Sequence, residues 1–537
     1  MTKKQETMKK HLFKTRLLSF AALCGIALTF ASCAKEDVAQ NTTGTEGDND
    51  KNLTTFVAGD EAKTRTSLDY NSSDFYWEAG DYIYVKDDDG VLQKSSNAPT
   101  SKVASFMYKV PGKFTASSSY KVYYFGKNSS NNQVVIPAAQ TQSTPNSTEH
   151  FGVSGDYGTA TATGSVGGKT FSFQLEHQAA YLVFHPYVSN TLLQNCYLTK
   201  IEVSSDNDIA STYTLNASTG TLQSVSTGAA ADKEIILSTK GSGTYANGFP
   251  LNTATDNVAI NGAYMVIKPG THTLKVRYWL KDVSTGIEGT ITKAFKAFTY
   301  SENSYYDIDG NLNIRDYDGD HYYMWDAQQQ YWYGYEWTKN LPAGIGQPTL
   351  DSQPAGSDAQ SATDSRYYNL SNPADGIINP ATQSCATLPN ANEMSWYVVY
   401  GDPRWDGDEL WAIMGHLHKG GIWLKKKAYI SGFNTNVSTY GTDWRTQRAA
   451  TNNSVSNTLL SAAEANNYFY LPALGKYRFG NLDGLANEGH YWSSSGCSGS
   501  PSGRAYSLSF GNSSIYISPS YSRFFGFYTV AFESSLH

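Results

Sequence analysis

The sequence predicts a mainly β protein: two successive β-sandwiches followed by an α+β domain. Three observations predict it. Short runs of β-branched and aromatic residues recur, separated by Gly, Asn, Asp and Ser turns. The 39 Tyr and 11 Trp, with only 17% charged residues, suit half-buried sheet surfaces. Helical periodicity is nearly absent up to residue 312, and one good helix candidate stands beyond it. A chain of 537 residues is too long for a single core, so several domains are expected. A net charge of −7 gives no electrostatic footprint for nucleic acid.

The N-terminal stretch reads as a targeting segment. Lys3, Lys4, Lys9, Lys10, Lys14 and Arg16 form a positive region, and Leu17 to Phe30 is an apolar run too short to span a bilayer comfortably. It ends at Phe30-Ala31-Ser32-Cys33, which resembles the lipobox of bacterial lipoproteins. The resemblance implies a signal peptide over 1–32 and acylation of Cys33; ordinary signal cleavage with Cys33 incidental is the alternative. Lys35-Glu36-Asp37 is similar to the acidic signal that sends some Bacteroidetes lipoproteins to the outer face of the outer membrane. Residues 33–52 have the composition of a flexible tether. Cys24 leaves with the signal, so Cys196, Cys385 and Cys497 remain, with no CxxC to suggest zinc or redox chemistry. In an exported chain Cys385 and Cys497 are candidates for a disulfide, against three buried free thiols.

A first sandwich is expected over 53–185. Leu53 to Ala58 is a short strand closed by Gly59-Asp60, and Arg65 is the first arginine after Cys33. Phe75-Tyr76-Trp77, Tyr82 to Val85, Tyr120 to Phe125, Val134 to Ile136 and Phe171 to Leu175 continue the pattern, and Ala179 to Phe184 is apolar throughout, as a core strand would be. A second sandwich over 186–312 is read from Leu198 to Val203, Tyr213 to Leu215, Ile235 to Leu237, Tyr264 to Ile267 and Leu274 to Leu280.

Five motifs in order carry a resemblance over about 250 residues. They are Arg65 to Leu68 with Trp77-Glu78-Ala79-Gly80-Asp81, Ile136 to Gln142, Phe171 to Ala179, Tyr264 to Gly270, and Tyr305-Tyr306-Asp307-Ile308. Together they resemble the Bacteroidetes fimbrillin superfamily. The resemblance implies a cell-surface fimbrial subunit, exported as a lipoprotein and trimmed by an arginine-specific protease. Trimming removes the first strand, and a strand from a neighbouring subunit takes its place. Carried onto this chain, the removed strand is Leu53–Ala58 and the scissile residue is Arg65. In the alternative, Arg65 is a plain surface residue of an uncut lipoprotein.

The region 313–537 departs from that family. Asp316 to Asp320 reads as a solvated linker; it lacks the spacing of a calcium loop, and no metal or cofactor is expected. A polar stretch, 343–366, reads as a surface loop, and Asn390 is a plausible cap for a helix running to about Tyr400. Leu388 to Met394, Phe469 to Ala473, Gly489 to Ser495, Ala505 to Phe510 and Gly526 to Val530 are similar to the C-type-lectin-like and formylglycine-generating superfold. The calcium-ligand and reactive-cysteine motifs of that superfold are missing, as are HExxH, GxSxG and the P-loop, so no enzyme is expected. His416 and His418 read as loop histidines. Trp405, Asp406, Asp408 and Glu409 are the ligand-binding candidates: an indole stacks on a sugar's C–H face while carboxylates accept its hydroxyls. A solvated acidic loop is the alternative, and Tyr440, Trp444 and Arg445 are weaker candidates for the same rim.

Because Phe524 to Phe532 fall inside this last domain, no free strand is expected for donation, which points to the distal tip of a filament. The partners implied are other fimbrial subunits, the outer membrane through the precursor's lipid, and a glycan or protein ligand. A stand-alone glycan-capturing lipoprotein is the runner-up, and an enzyme on the C-terminal superfold the third reading.

Overall fold

A computed structural model describes residues 9–12, 52–59, 67–70, 74–127, 132–216, 219–225, 228–317, 321–334, 358–371, 374–499 and 503–533. Cys33, Arg65 and the stretch 343–357 lie outside the described residues. The protein is mainly β, as expected. Its contacts divide it into two compact units: residues 1–187, 197–276 and 295–311 form one, and residues 188–196, 277–294 and 312–537 form the other. Among the described residues no helix is long and apolar enough to cross a membrane.

The first unit opens with a sheet whose strands run, in spatial order, Leu92–Lys94, Tyr84–Lys86, Ser119–Tyr124, Gly158–Gly164, Thr170–Phe173, Leu53–Ala58 and Phe106–Pro111. Alternation decides which side chains go inside. In Leu53–Ala58 every second residue, Thr54, Phe56 and Ala58, is buried. They join a core of Trp77, Ile83, Tyr108, Val110, Phe114, Tyr120, Tyr124, Phe171 and Phe173.

The apolar run ending at Phe184 forms the strand Ala180–Tyr187, buried along nearly its whole length. It lies between Ser304–Asn311, to which it is parallel, and Ala263–Ile267, to which it is antiparallel. Lys9–Leu12 pairs antiparallel with the outer edge of Ser304–Asn311. The free edge of Ala263–Ile267 is covered by side chains rather than by a strand. Gln140 donates to the Val266 carbonyl (2.7 Å) and accepts from its N–H (3.0 Å); Gln142 accepts from the Tyr264 N–H (2.8 Å) and donates to the Gly262 carbonyl (3.0 Å). Two glutamines at alternate positions therefore act as a strand's backbone would, blunting an exposed edge. Gln133–Ile136, read from sequence with the first sandwich, pairs with Ser211–Thr214 from much later in the chain, and Ala139–Thr141 runs parallel to Ile236–Ser238.

In the second unit Arg404–Ile413, His416–Lys425 and Tyr468–Pro472 make an antiparallel meander. Asp316–Tyr317, expected as linker, is a short parallel strand beside Ala412–Ile413. A second sheet runs Tyr322–Tyr323, Phe527–Tyr528, Gly489–Gly496, Arg504–Phe510, Ser514–Ser522 and Thr451–Ser454. The helix Ala391–Tyr400 starts where its cap predicts. Asn390 accepts from the N–H groups of Asn392 (2.9 Å) and Glu393 (3.1 Å), while Glu393 accepts from the Asn390 N–H (2.9 Å). Tyrosines and tryptophans dominate the core, including Tyr322, Trp332, Trp411, Tyr470, Tyr477, Tyr491 and Tyr528.

Candidate functional site

Leu53–Ala58 occupies an interior slot of its sheet. On one side it runs antiparallel to Phe106–Pro111, Phe56 opposite Tyr108; on the other it runs parallel to Thr170–Phe173, Phe56 opposite Phe171. Thr55 N–H donates to the Lys169 carbonyl (2.9 Å) and Gly59 N–H to that of Phe173 (3.0 Å). The Phe56 ring lies 5.4 Å from Phe171, stacked, and 5.1 Å from Phe114, edge-on. Burying one such side chain contributes roughly 1.5–3 kcal/mol. Most of what the strand offers is main chain plus one large side chain.

The walls of the slot have supports of their own. Phe106–Pro111 is tied along its far edge, where Ser96 N–H donates to the Lys109 carbonyl (2.7 Å), Lys109 N–H to Asn97 Oδ1 (2.6 Å) and Asn97 Nδ2 to the Met107 carbonyl (3.0 Å). Thr170–Phe173 is held through Gly158–Gly164 on its other side. Both neighbours of Leu53–Ala58 are thus hydrogen-bonded on their far sides as well.

The last described residues are built into the second unit. Tyr528 pairs with Tyr322 and Tyr491, and both Phe527 and Tyr528 are fully buried. Phe532 packs on Tyr397, Phe469 and Tyr491, and Glu533 accepts hydrogen bonds from the Tyr397 hydroxyl (2.7 Å) and the Lys427 N–H.

The acidic ligand candidates lie on a strand, not on a solvated loop. A register shift between Asp406 and Leu410 turns both Asp406 and Glu409 inward, although residues three apart in a regular strand face opposite ways. Asp406 accepts from Arg277 Nη2 (3.1 Å) and Trp423 Nε1 (3.3 Å) and is 3% exposed. Glu409, fully buried, accepts from the Thr290 hydroxyl (3.0 Å) and from the N–H (2.9 Å) and hydroxyl (2.6 Å) of Thr292. Burial, then the nearby Asp406 charge, pushes its carboxyl up to about 7. Asp408 reaches solvent with Lys419 (3.1 Å), and Trp405 is half-buried against Gly420. The four residues therefore do not converge on one open surface. Of the other rim candidates, Trp444 is buried, Arg445 forms a forked pair with Asp443 (2.7–3.1 Å), and Tyr440 is 63% exposed.

The candidate Cys385–Cys497 bridge is not formed, in line with the alternative of free thiols. Cys196, Cys385 and Cys497 are buried free thiols, each fixed in its own setting. Cys385 sits with Trp325 and Trp492 and accepts from the Asp326 N–H (3.3 Å), whereas Cys497 donates to the Ser498 carbonyl (3.6 Å). His418 stacks on Trp411, and burial, then His416, lowers its pKa to about 4. No group of three or more metal-ligating side chains is found among the described residues. A residue that sequence reading missed is Asp326, buried and left-handed (φ 51°), whose carboxylate gathers Asn369 Nδ2 (2.8 Å) and the N–H groups of Thr382 (2.7 Å), Gln383 (2.7 Å) and Cys385 (3.2 Å). Nothing in its flanking residues distinguishes it from a turn aspartate.

No family model matches the sequence, and no curated protein matches it. Among solved structures, the chain is similar to a protein provisionally described as a cell adhesion protein from Bacteroides ovatus, at 13% identity and a TM-score of 0.31, covering 48% of this chain and 93% of that one. A protein of the same description from Bacteroides uniformis is 17% identical, with a TM-score of 0.26 over 46% of this chain and 89% of its own. The fimbrial anchor protein Mfa2 from Porphyromonas gingivalis is 11% identical, with a TM-score of 0.20 over 45% and 82%.

Proposed function

We propose that this protein is an adhesive subunit of a cell-surface fimbria, placed at the filament tip. In this reading the precursor is held in the outer membrane by acyl chains on Cys33 and is cut behind Arg65. A strand from a neighbouring subunit then fills the position of Leu53–Ala58. The regions 53–185 and 186–312 are the fimbrillin-like sandwiches, and 313–537 is a lectin-like module that faces outward and carries no catalysis. One observation carries the proposal: Leu53–Ala58 is an interior strand held mainly by its backbone, between walls that are tied down without it. The five fimbrillin-like motifs support it, and so does the burial of Phe527 and Tyr528, which keeps that strand from serving as a donor.

The test is the mature N-terminus of the protein recovered from sheared filaments. Cleavage behind Arg65 gives Thr66 as the first residue, and Arg65→Ala leaves an acylated, unincorporated precursor. Normal incorporation of that variant would sink the proposal. The second reading, an uncut surface lipoprotein that captures glycans, is favoured by the slot being filled by the chain's own strand. It predicts an intact mass that retains the acylated Cys33.

A further inference from the structure

The sheet built on Ala180–Tyr187 treats its two edges differently. Gln140 and Gln142 close the edge at Ala263–Ile267 with their side chains. On the opposite side stands Ser304–Asn311, paired along all eight of its residues with Ala180–Tyr187. Its outer edge carries Lys9–Leu12, antiparallel, with Lys9 opposite Asp307, Lys10 opposite Tyr306, His11 opposite Tyr305 and Leu12 opposite Ser304. These four residues belong to the basic segment that the sequence marks as a signal peptide. With that segment gone, no other strand among the described residues pairs with this edge. A row of main-chain N–H and C=O groups then faces outward, a template for an extended chain.

The edge strand is packed on one face and acidic on the other. Ser304, Tyr306 and Ile308 are fully buried, and the Tyr306 ring lies against Phe298 (5.7 Å) and Tyr300 (5.0 Å). Alternation puts Tyr305, Asp307 and Asp309 on the other side. Asp307 lies 3.0 Å from the His185 imidazole, which lies 2.8 Å from Asp256, and the Asp256 side chain is 61% exposed. Asp309 is exposed as well. A residue of an added strand directly opposite Asp307 shares its face, with Cβ atoms about 5 Å apart, and reaches the Asp309 rung diagonally. Lys9 holds that register position.

Charge tells against two occupants from this chain. The tether 33–52 carries Glu36, Asp37, Glu46, Asp48 and Asp50 against Lys35 and Lys51. A second copy pairing through the same edge would set acidic strand on acidic strand, which like charges oppose. We infer that the outer edge of Ser304–Asn311 is a docking site for an extended segment of another polypeptide, added antiparallel, with Lys or Arg opposite Asp307. The site belongs to a different sheet from the slot of Leu53–Ala58. It rests on the reading that residues 1–32 are removed.

The processed chain, its start confirmed by intact mass, is titrated with a fluorescein-labelled peptide of residues 7–14, which contains the segment that pairs on this edge. Saturable binding is expected by anisotropy. Lys9→Glu in the peptide weakens it at least about tenfold, and Asp309→Asn in the protein about threefold. Peptides N-methylated at Met8 and Lys10, or at Lys9 and His11, separate strand pairing from charge attraction. One pair abolishes binding and the other keeps it, because only alternate N–H groups point toward the edge. The unprocessed chain, whose own Lys9–Leu12 fills the edge, binds at least about tenfold more weakly. No saturable binding, an equal response to the two methylated peptides, or equal binding by both chains overturns the site. Recovered protein whose mass still includes residues 1–32 sinks the processing reading alone, since a chain started at Cys33 still tests the edge. Processed protein that binds no peptide sinks this inference alone.

Discussion

Leu53–Ala58 and Phe527–Tyr528 both fill interior positions of a sheet, but they are held by different kinds of contact. The first lays six residues against Phe106–Pro111 and four against Thr170–Phe173, with Phe56 as its one large inward side chain. The second has two residues paired with Tyr322–Tyr323 and one with Tyr491, and its grip comes from side chains. The Tyr528 ring contacts Tyr317 (5.3 Å) and Tyr322 (5.2 Å), and its hydroxyl accepts from Arg315 (3.4 Å). Main-chain hydrogen bonds are available to any extended peptide, whereas a particular set of rings is not. A strand meant to be exchanged should be held in the first way, and a strand meant to stay in the second.

The largest expected effect comes from truncating the ring on each strand. Tyr528→Ala should cost about 4 kcal/mol in the second unit's unfolding, before or after processing. Under the proposed strand exchange, Phe56→Ala should cost about 3 kcal/mol in the uncut precursor and nothing in protein recovered from filaments. Calorimetric melts of both forms measure it. A Phe56→Ala loss of equal size in the filament form would mean that the strand is never exchanged.

How much of this the sequence discloses follows from which contacts are local. The short β-like run Leu53–Ala58, the apolar run ending at Phe184 and the Asn390 cap are written within a few residues, and each appears as read. The partner of Gln133–Ile136 is not local, because Ser211–Thr214 lies 75 to 81 residues further along the chain. The bulge that turns Asp406 and Glu409 inward leaves no mark in the acidic cluster itself, so a strand with a buried polar pair looks like a wet loop. Tyr440 and Trp444 read alike as candidates for one rim, but which of them is buried depends on the Ser438–Thr442 turn and on Asn392.

Glu409 sharpens the contrast, since it shows the second unit relying on particular side chains in its interior. Its carboxyl is raised to about 7, from an ordinary value near 4.5, by burial and then by Asp406. A raised acid is protonated in the fold while already ionised in the unfolded chain. Its contribution is therefore complete below about pH 4.5 and is lost as pH rises toward 7, a swing on the order of 3 kcal/mol. Glu409→Gln keeps an acceptor for the Thr292 N–H and removes the ionisation. Urea midpoints at pH 5 and pH 8 should converge in the variant, which becomes the more stable protein at pH 8. A wild-type midpoint that rises from pH 5 to pH 8 by as much as the variant's would contradict the assignment.

The smallest effect concerns the stretch just behind Arg65. Tyr70 donates to Asp307 (3.0 Å) and packs on His185 (5.3 Å), while the His185 nitrogens lie 2.8 Å from Asp256 and 3.0 Å from Asp307. Burial opposes charge on the imidazole, but the carboxylates of Asp307 and Asp256 outweigh it and hold the pKa above the usual value. The sign is opposite in chemistry to that of Glu409 but the same in direction: stability is complete below the unfolded histidine's pKa and fades as pH rises through the folded one. Asp307→Asn removes one carboxylate, so His185 should titrate lower by NMR, and chymotrypsin should cut behind Tyr70 more readily at pH 6. A His185 titration that does not move in the variant would show that Asp307 does not hold the proton there. The stretch behind Arg65 would then be fastened by ring packing, in the manner of Tyr528, and the contrast between the two ends of the fold would be one of degree.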